Sequence, residues 1–513
     1  MRVPHVLAHA RVPAGLPAAL LVALLIALGV GPLVGPTAPG AAQAAGGPAL
    51  FTEDGWQGEV ELAVADAISA ELPGSGAPGV AWAVVEGDEV VTGASGVIRA
   101  GGSDPVTADS PFVLGSISKS ITAVAVLQLQ EAGRLDLDDE LGEHLPAFRG
   151  TTAGSVTLRE LLSHTSGWST AQGNASHADA DGEEDELARR VAALADVDPA
   201  HAPGEWEYSN TNYQLLGRVV EVAGAESFED YVTEHVLDPL EMSDSFVSDG
   251  RVHPEMVTGH RPWFWTKRPM ASDRPTQRLT APQGGVVASA RDVARYLQVL
   301  MNGRDDVLSA EDKALMMRSA GPGSPYYGLG WVVDRDTVWH TGTSPGVETQ
   351  ATMEPARRRG VVVLVNAGSG TGFAETTRLR EAVTAAGLGR EYAGPGRRWG
   401  QQVLFLSLVL LPLGYLVTMV WAWRHREQLR RKRRQGFSGR FSLWFPLLTT
   451  GAAAWVMVVL VPGLYGSPIR NILLFSPDLG LLLVSGAATG VAWAALRLLL
   501  AHAGRSAPAS TGP

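Results

Sequence analysis

Residues 112–120 read Phe-Val-Leu-Gly-Ser-Ile-Ser-Lys-Ser, and within them Ser116 and Lys119 stand three positions apart. Ile121 and the run Ala123-Val124-Ala125-Val126-Leu127 follow, the pattern of a buried helix. Positions three apart share a helix face, so the hydroxyl and the amine can meet. A serine hydroxyl is a weak nucleophile until a base takes its proton. Lysine can serve as that base once burial lowers its pKa, whereas arginine stays charged. Ser-x-x-Lys also arises by chance in long chains. Composition weighs against chance here, because only Lys119, Lys267, Lys313 and Lys432 are lysines among 41 basic residues. The residues three before the other lysines are Phe264, Ala310 and Leu429, so the pair occurs once.

The chain has 513 residues, room for two or three domains, and 45% of them are hydrophobic. Cysteine is absent, which removes disulfides, thiol nucleophiles and cysteine-ligated metals. The net charge of −12 hides a basic C-terminal part and a more acidic middle, a balance that argues against nucleic acid as a partner.

Both ends are apolar. Arg2 and Arg11 precede an uncharged run from Leu16 to Val34, and Ala42-Gln43-Ala44 follows as an A-x-A cleavage site. Residues 1–45 thus read as a signal peptide, with an uncleaved anchor as the alternative. Residues 46–397 read as an exported domain, and 398–513 as a membrane region with spans at 403–423, 441–464 and 479–500. Eight Lys or Arg residues lie in 424–440, which by the positive-inside rule makes that loop cytoplasmic and the 46–397 domain extracytoplasmic.

Within the exported region, Val80–Val85 and Glu89–Thr92 read as strands of a hairpin turning at Glu86-Gly87-Asp88. His164 closes a short helix in Leu158–Gly167. As a helix-terminal histidine bonded to backbone near Gly167 it is structural, and as a titratable group it is a catalytic candidate. The acidic residues Asp179, Asp181, Glu183, Glu184, Asp185 and Glu186 read as a solvated loop and helix start rather than a metal site. Arg261–Pro275, rich in Trp and Arg, lines a cleft, touches a membrane or forms a surface loop. Gln283-Gly284-Gly285 leads into a helix through Asp292, Tyr296 and Leu300, Val361–Val365 reads as a doubly buried strand, and a last helix covers Phe373–Ala386.

Three motifs stand in order: Ser116-x-x-Lys119, Tyr208-x-Asn210 and His340-Thr341-Gly342. With Leu161-Leu-Ser-His-Thr-Ser-Gly167 and Gly328-Leu-Gly-Trp331 they resemble the penicillin-recognising serine hydrolases, the class C β-lactamase-like branch above all, over Leu62–Leu388. The resemblance implies an α+β fold. An antiparallel sheet flanked by helices is built from both ends of the soluble region, an all-α domain is inserted at about 106–284, and three transmembrane helices follow.

It also implies roles. Ser116 forms an acyl-enzyme, Lys119 and Tyr208 share the base, and Asn210 binds the substrate amide. The N–H groups of Ser116 and Thr343 form the oxyanion hole, with His340, Gly342 and Thr343 on the facing strand. No cofactor and no metal is implied. The substrate is an ester, amide, β-lactam or D-amino peptide, cell-wall derived in one reading, and lipid is the partner of the C-terminal spans. Where many relatives carry lysine this chain has His340, which argues against β-lactamase activity. With an ordinary pKa it is mostly neutral at about pH 7.5, and its cationic form holds anionic substrates if it faces the cleft. The competing reading is a strand residue packed beside Trp339. Two other classes compete: a membrane sensor acylated without turnover, and a non-catalytic wall-binding protein.

Overall fold

The structure, a computed structural model, describes residues 55–175, 183–394, 396 and 398–503. The signal-peptide reading and Asp179 and Asp181 lie outside the described residues. The chain divides into two units, Pro32–Arg398 with Pro462–Gly480, and Trp399–Val461 with Leu481 onward.

The first unit is organised on a six-stranded antiparallel sheet of β1 (Gly79–Glu86), β2 (Glu89–Gly96), β3 (Val332–Asp334), β4 (Thr337–Ser344), β5 (Val347–Glu354) and β6 (Arg359–Val365), ordered β2-β1-β6-β5-β4-β3. The hairpin anticipated at residues 86–88 joins β1 and β2, with Gly87 in the left-handed region. β1 and β6 pair from Val80↔Val365 to Glu86↔Arg359, so the centre of the sheet is made by the two ends of the domain. β6 is buried along its whole length, as its unbroken apolar run predicts.

Alternation along β1 sends Val80, Trp82 and Val84 to one face, under α1 (Trp56–Ser75) and α5 (Thr377–Gly387). It sends Ala81, Ala83 and Val85 to the other, with Val293 and Leu297 of α4 (Ala290–Met301). On that second side lies the mainly helical region, which includes α2 (Ser118–Glu131) and α3 (Asn210–Gly224). Residues 261–275 prove to be largely a two-stranded hairpin, His260–Trp263 with Thr266–Pro269, from which Trp265 projects 56% exposed. The last helix starts at Thr377, four residues after the expected Phe373.

The second unit contains most of the residues of three helices long and apolar enough to cross a membrane: Trp399–Arg424, Gly436–Leu464 and Pro477–His502. Each contains an expected span. The basic loop is itself helical over Arg426–Arg433. Gly486 faces Leu411 and Met457, and Gly490, four residues on, faces the Tyr415 ring, a small-residue seam of the kind that lets apolar helices approach closely.

Candidate active site

Ser116 lies on a single 3₁₀ turn, Gly115–Ile117, that runs directly into α2. The turn is held from both sides. Leu114 N donates to Val286 O at 2.8 Å, and Val286 N donates to Ser118 Oγ at 3.0 Å. Gly115 has φ +58°, and a Cβ there would stand 2.6 Å from Thr343 N. A Cβ on Gly342 would stand 1.9 Å from Leu114 O. These two glycines let β4 pass against the turn, which brings the Thr343 amide up to the segment carrying Ser116.

Lys119 is fully buried one turn along. Its Nζ lies 3.2 Å from Ser116 Oγ, 2.8 Å from Asn210 Oδ1 and 2.8 Å from the Gln283 carbonyl. No carboxylate pairs with it among the described residues, and burial pushes its pKa well below the usual lysine value. The amide and carbonyl oxygens can only accept. A neutral amine with two N–H bonds and one lone pair therefore donates to Asn210 and Gln283 and offers its lone pair to the Ser116 hydroxyl. The electronic arrangement suits proton removal from Ser116.

Tyr208 and Asn210 stand at the start of α3, which Ser209 anchors by donating to Ser169 O at 2.9 Å. The Tyr208 ring centroid lies 4.9 Å from Lys119 Nζ. Burial raises the Tyr208 phenol pKa, and a hydrogen bond with Ser116 opposes that only in part. Of the two anticipated proton acceptors, Lys119 is thus the one whose environment favours the basic form, and Tyr208 remains a phenol.

His164 has a structural explanation, though not at the expected partner. Its Nδ1 accepts from Ser209 N at 3.2 Å and lies 2.9 Å from Asn212 Nδ2. Its ring centroid is 4.4 Å from that of Tyr208 and 4.9 Å from that of Tyr327. Burial first, then Lys119, keeps it neutral.

For His340 the structure favours one of the two readings. It borders the cavity, but it is 2% exposed, with Nδ1 2.7 Å from Thr341 O and Nε2 3.2 Å from the Tyr327 hydroxyl. Burial, helped by Lys119, pushes its pKa down to about 3. Burial therefore keeps His340 neutral through the acidic range as well, which favours the strand-residue reading over a cationic form that holds anionic substrates. Where the acidic run is described, Glu186 opens a short helix as expected, but its side chain is buried rather than solvated.

Ser116, Tyr208, Asn210, His340, Thr341 and Thr343 border one cavity of about 550 Å³. Sequence reasoning gave no site role to three further residues. Asn174 Oδ1 accepts from Asn210 Nδ2 at 3.0 Å. Gln283 borders the cavity with neither side-chain polar atom hydrogen-bonded. Tyr327 supports His340. Only the Gln-Gly-Gly motif hinted at any of these.

The helix-borne Ser–Lys pair facing a β-strand in this fold defines a serine hydrolase. Residues 64–386 match the Beta-lactamase family, and the chain belongs to it. It is 33% identical to Penicillin-binding protein 4 of Amycolatopsis lactamdurans over 327 residues, covering 58% of this chain and 82% of that protein. It is 25% identical to Protein flp of Staphylococcus aureus (strain MRSA252) over 378 residues, 69% of this chain and 73% of the other. Among solved structures, the D-alanine carboxypeptidase AmpC of Burkholderia cenocepacia superposes with a TM-score of 0.53 at 21% identity, covering 65% of this chain and 99% of its own. That likeness is one of fold.

Proposed function

We propose that this chain is a membrane-anchored extracytoplasmic hydrolase that forms an acyl-enzyme on Ser116, with an ester, amide or D-amino peptide as substrate. The observation that carries the reading is the environment of Lys119: buried, without an anionic partner among the described residues, and bonded to two obligatory acceptors beside the Ser116 hydroxyl. Ser116 Oγ gives its proton to Lys119 Nζ and attacks the substrate carbonyl. The Ser116 and Thr343 amides receive the developing oxyanion. The proton passes to the leaving group, with the Tyr208 phenol as the adjoining donor. Water then adds to the acyl-enzyme as it gives a proton to Lys119, and the intermediate collapses to the acid product as that proton returns to Ser116 Oγ.

The neutral His340 places no cation on β4 beside the oxyanion hole, which favours substrates that do not depend on a carboxylate at that point. The test is labelling and turnover together. A fluorophosphonate should label the wild-type Ser116 peptide and leave Ser116→Ala unlabelled, and ester hydrolysis should continue for many turnovers. Labelling retained in Ser116→Ala would overturn the assignment. A single stoichiometric burst without turnover would replace the hydrolase by the acylated sensor.

A further inference from the structure

The segment joining the second and third apolar helices, Pro462–Gly480, belongs to the same unit as the serine hydrolase domain. It carries the short helix Ile469–Phe475. Tyr465, Ser467, Asn471, Ile472, Phe475 and Leu479 from this segment border the cavity that Ser116, Tyr208 and Asn210 border from the other side. It is held by named bonds. Asp478 Oδ2 accepts from Phe264 N at 2.9 Å, Leu474 O accepts from the Arg261 guanidinium at 3.2 Å, and the Arg470 guanidinium donates to Ala175 O.

Two further bonds converge on Asn174. Asn471 Nδ2 donates to Asn174 O at 2.6 Å, and Gly466 O accepts from Asn174 Nδ2 at 3.0 Å. Asn174 is 4% exposed and Asn471 3%. An amide side chain has one donor end and one acceptor end. With its donor end given to Gly466 O, Asn174 must present Oδ1 to Asn210, which meets it with Nδ2 at 3.0 Å. Asn210 must then turn Oδ1 to Lys119 Nζ, the arrangement observed at 2.8 Å. A reversed Asn174 would let Asn210 reverse too and bring N–H groups against the lysine nitrogen.

We propose that Pro462–Gly480 completes the active site, walling the substrate cavity and, through Gly466 and Asn471 acting on Asn174, fixing which end of the Asn210 amide faces Lys119. Asn471 and Asn174 are positioning residues. Asn471 Oδ1 is buried without a hydrogen-bond partner among the described residues, so a substrate N–H entering beside Ile472 and Phe475 supplies the donor this wall lacks. The proposal rests on the serine hydrolase reading of Ser116 and Lys119, and it makes a peptide-like amide near the scissile bond the preferred feature of a substrate.

The experiment uses full-length protein in detergent micelles. In Asn471→Leu, kcat for a peptide-bearing ester should fall about tenfold, the order of one lost positioning hydrogen bond, with a smaller change in KM. The acid limb of its pH–rate profile should move to lower pH, because freeing the Asn174 carbonyl loosens the Asn174–Asn210 pair and with it the Asn210 Oδ1 acceptor that favours the charged form of Lys119. Asn471→Gln, which keeps the donor, should restore part of the rate. Independently, the chain contains no cysteine, so Ile472→Cys introduces a single thiol whose maleimide labelling should slow after Ser116 carries a bulky phosphonate. The labelling comparison decides the matter if Asn471→Leu does not fold. A wild type that labels at Ser116, with an Asn471→Leu rate and pH profile like its own and an Ile472→Cys thiol equally reactive before and after acylation, overturns this proposal alone. A wild type that never labels overturns the hydrolase reading and this proposal together.

Discussion

Lys119 Nζ donates to Asn210 Oδ1 across 2.8 Å, although the two residues lie 91 positions apart and each sits in the first turn of a different helix. That bond joins the helix after Ser116 to the one introduced by Tyr208, so the proposed base is placed by tertiary contact as well as by its spacing from Ser116.

Replacing Lys119 by arginine keeps a cation and removes the lone pair. Acylation in Lys119→Arg should fall about 10²-fold or more, as for a lost general base. In the wild type the rate should decline as pH falls through the Lys119 pKa, which burial holds well below the usual lysine value. Phosphonate labelling rates against pH, in both proteins, check the two statements. A nearly active Lys119→Arg would transfer the base role to Tyr208.

His340 sets the sign of a second pH effect. Its folded pKa is lowered to about 3 from 6.5, so between about pH 5 and 9 it stays neutral. An anionic and a neutral substrate should therefore show parallel profiles of kcat/KM in that window. Stability behaves differently. The unfolded chain takes up the proton first, so stability should fall as pH drops from about 6.5 toward 3, by at most about 1.4 kcal/mol per pH unit for this residue. Melting temperatures of wild type and His340→Gln over that range should diverge, the variant losing less. Equal slopes would show that the histidine is solvated.

Glu348 receives Ser369 N at 2.9 Å, the Thr376 hydroxyl at 2.6 Å and Arg380 Nε at 3.0 Å, with both side chains of the ion pair about nine-tenths buried. Arg380→Met leaves that carboxylate without its cation and should cost about 3–5 kcal/mol. Glu348→Gln combined with Arg380→Met should recover part of the loss. Urea unfolding of the three proteins measures both. A loss under about 1 kcal/mol would mean that water reaches the pair.

Gly342→Ala tests the close passage of β4 over the Ser116 turn. The added carbon would meet Leu114 O at 1.9 Å and Thr349 Oγ1 at 2.2 Å. Thr349 Oγ1 itself donates to Leu114 O at 2.6 Å, so neither neighbour is free to yield. Phosphonate labelling should be lost even if the protein remains folded by circular dichroism. Retained labelling would show that the turn can move away from the strand.

The proposed topology places residues 424–440 inside and the hydrolase domain outside. Reporters fused at Gln435 and at Leu388 should give opposite compartment signals in cells. The same signal from both would refute a three-span arrangement.

Ser116 and Lys119 were legible because their spacing is local and survives whatever the rest of the chain does. The β1–β2 hairpin was legible for the same reason, its turn being two residues long. Tyr208, Asn210 and Thr343 became visible only through resemblance, since nothing in their own neighbourhoods marks them. Asn174 and Asn471 were invisible. Each is an ordinary asparagine in an ordinary short helix, and their bond joins positions 297 apart. How far the His340 pKa is lowered was not legible for a related reason. Residue type gives an ordinary pKa, but the burial that lowers it comes from Tyr327, Lys119 and the fold around them.

Gly79 N reaches Asn366 Oδ1 at 2.8 Å across 287 residues of chain, beside the first pair of the β1–β6 ladder. At the usual 5–20 residues per second, synthesis of that interval occupies roughly 15–60 s. Through this time the β1–β2 hairpin exists without the strand that covers its inner edge, and the waiting edge carries Val80, Ala81, Trp82, Ala83, Val84 and Val85 in succession. Such an edge is a template for pairing with another chain. Biogenesis of this protein therefore depends on keeping its first strand from an incorrect neighbour until its last one has been made.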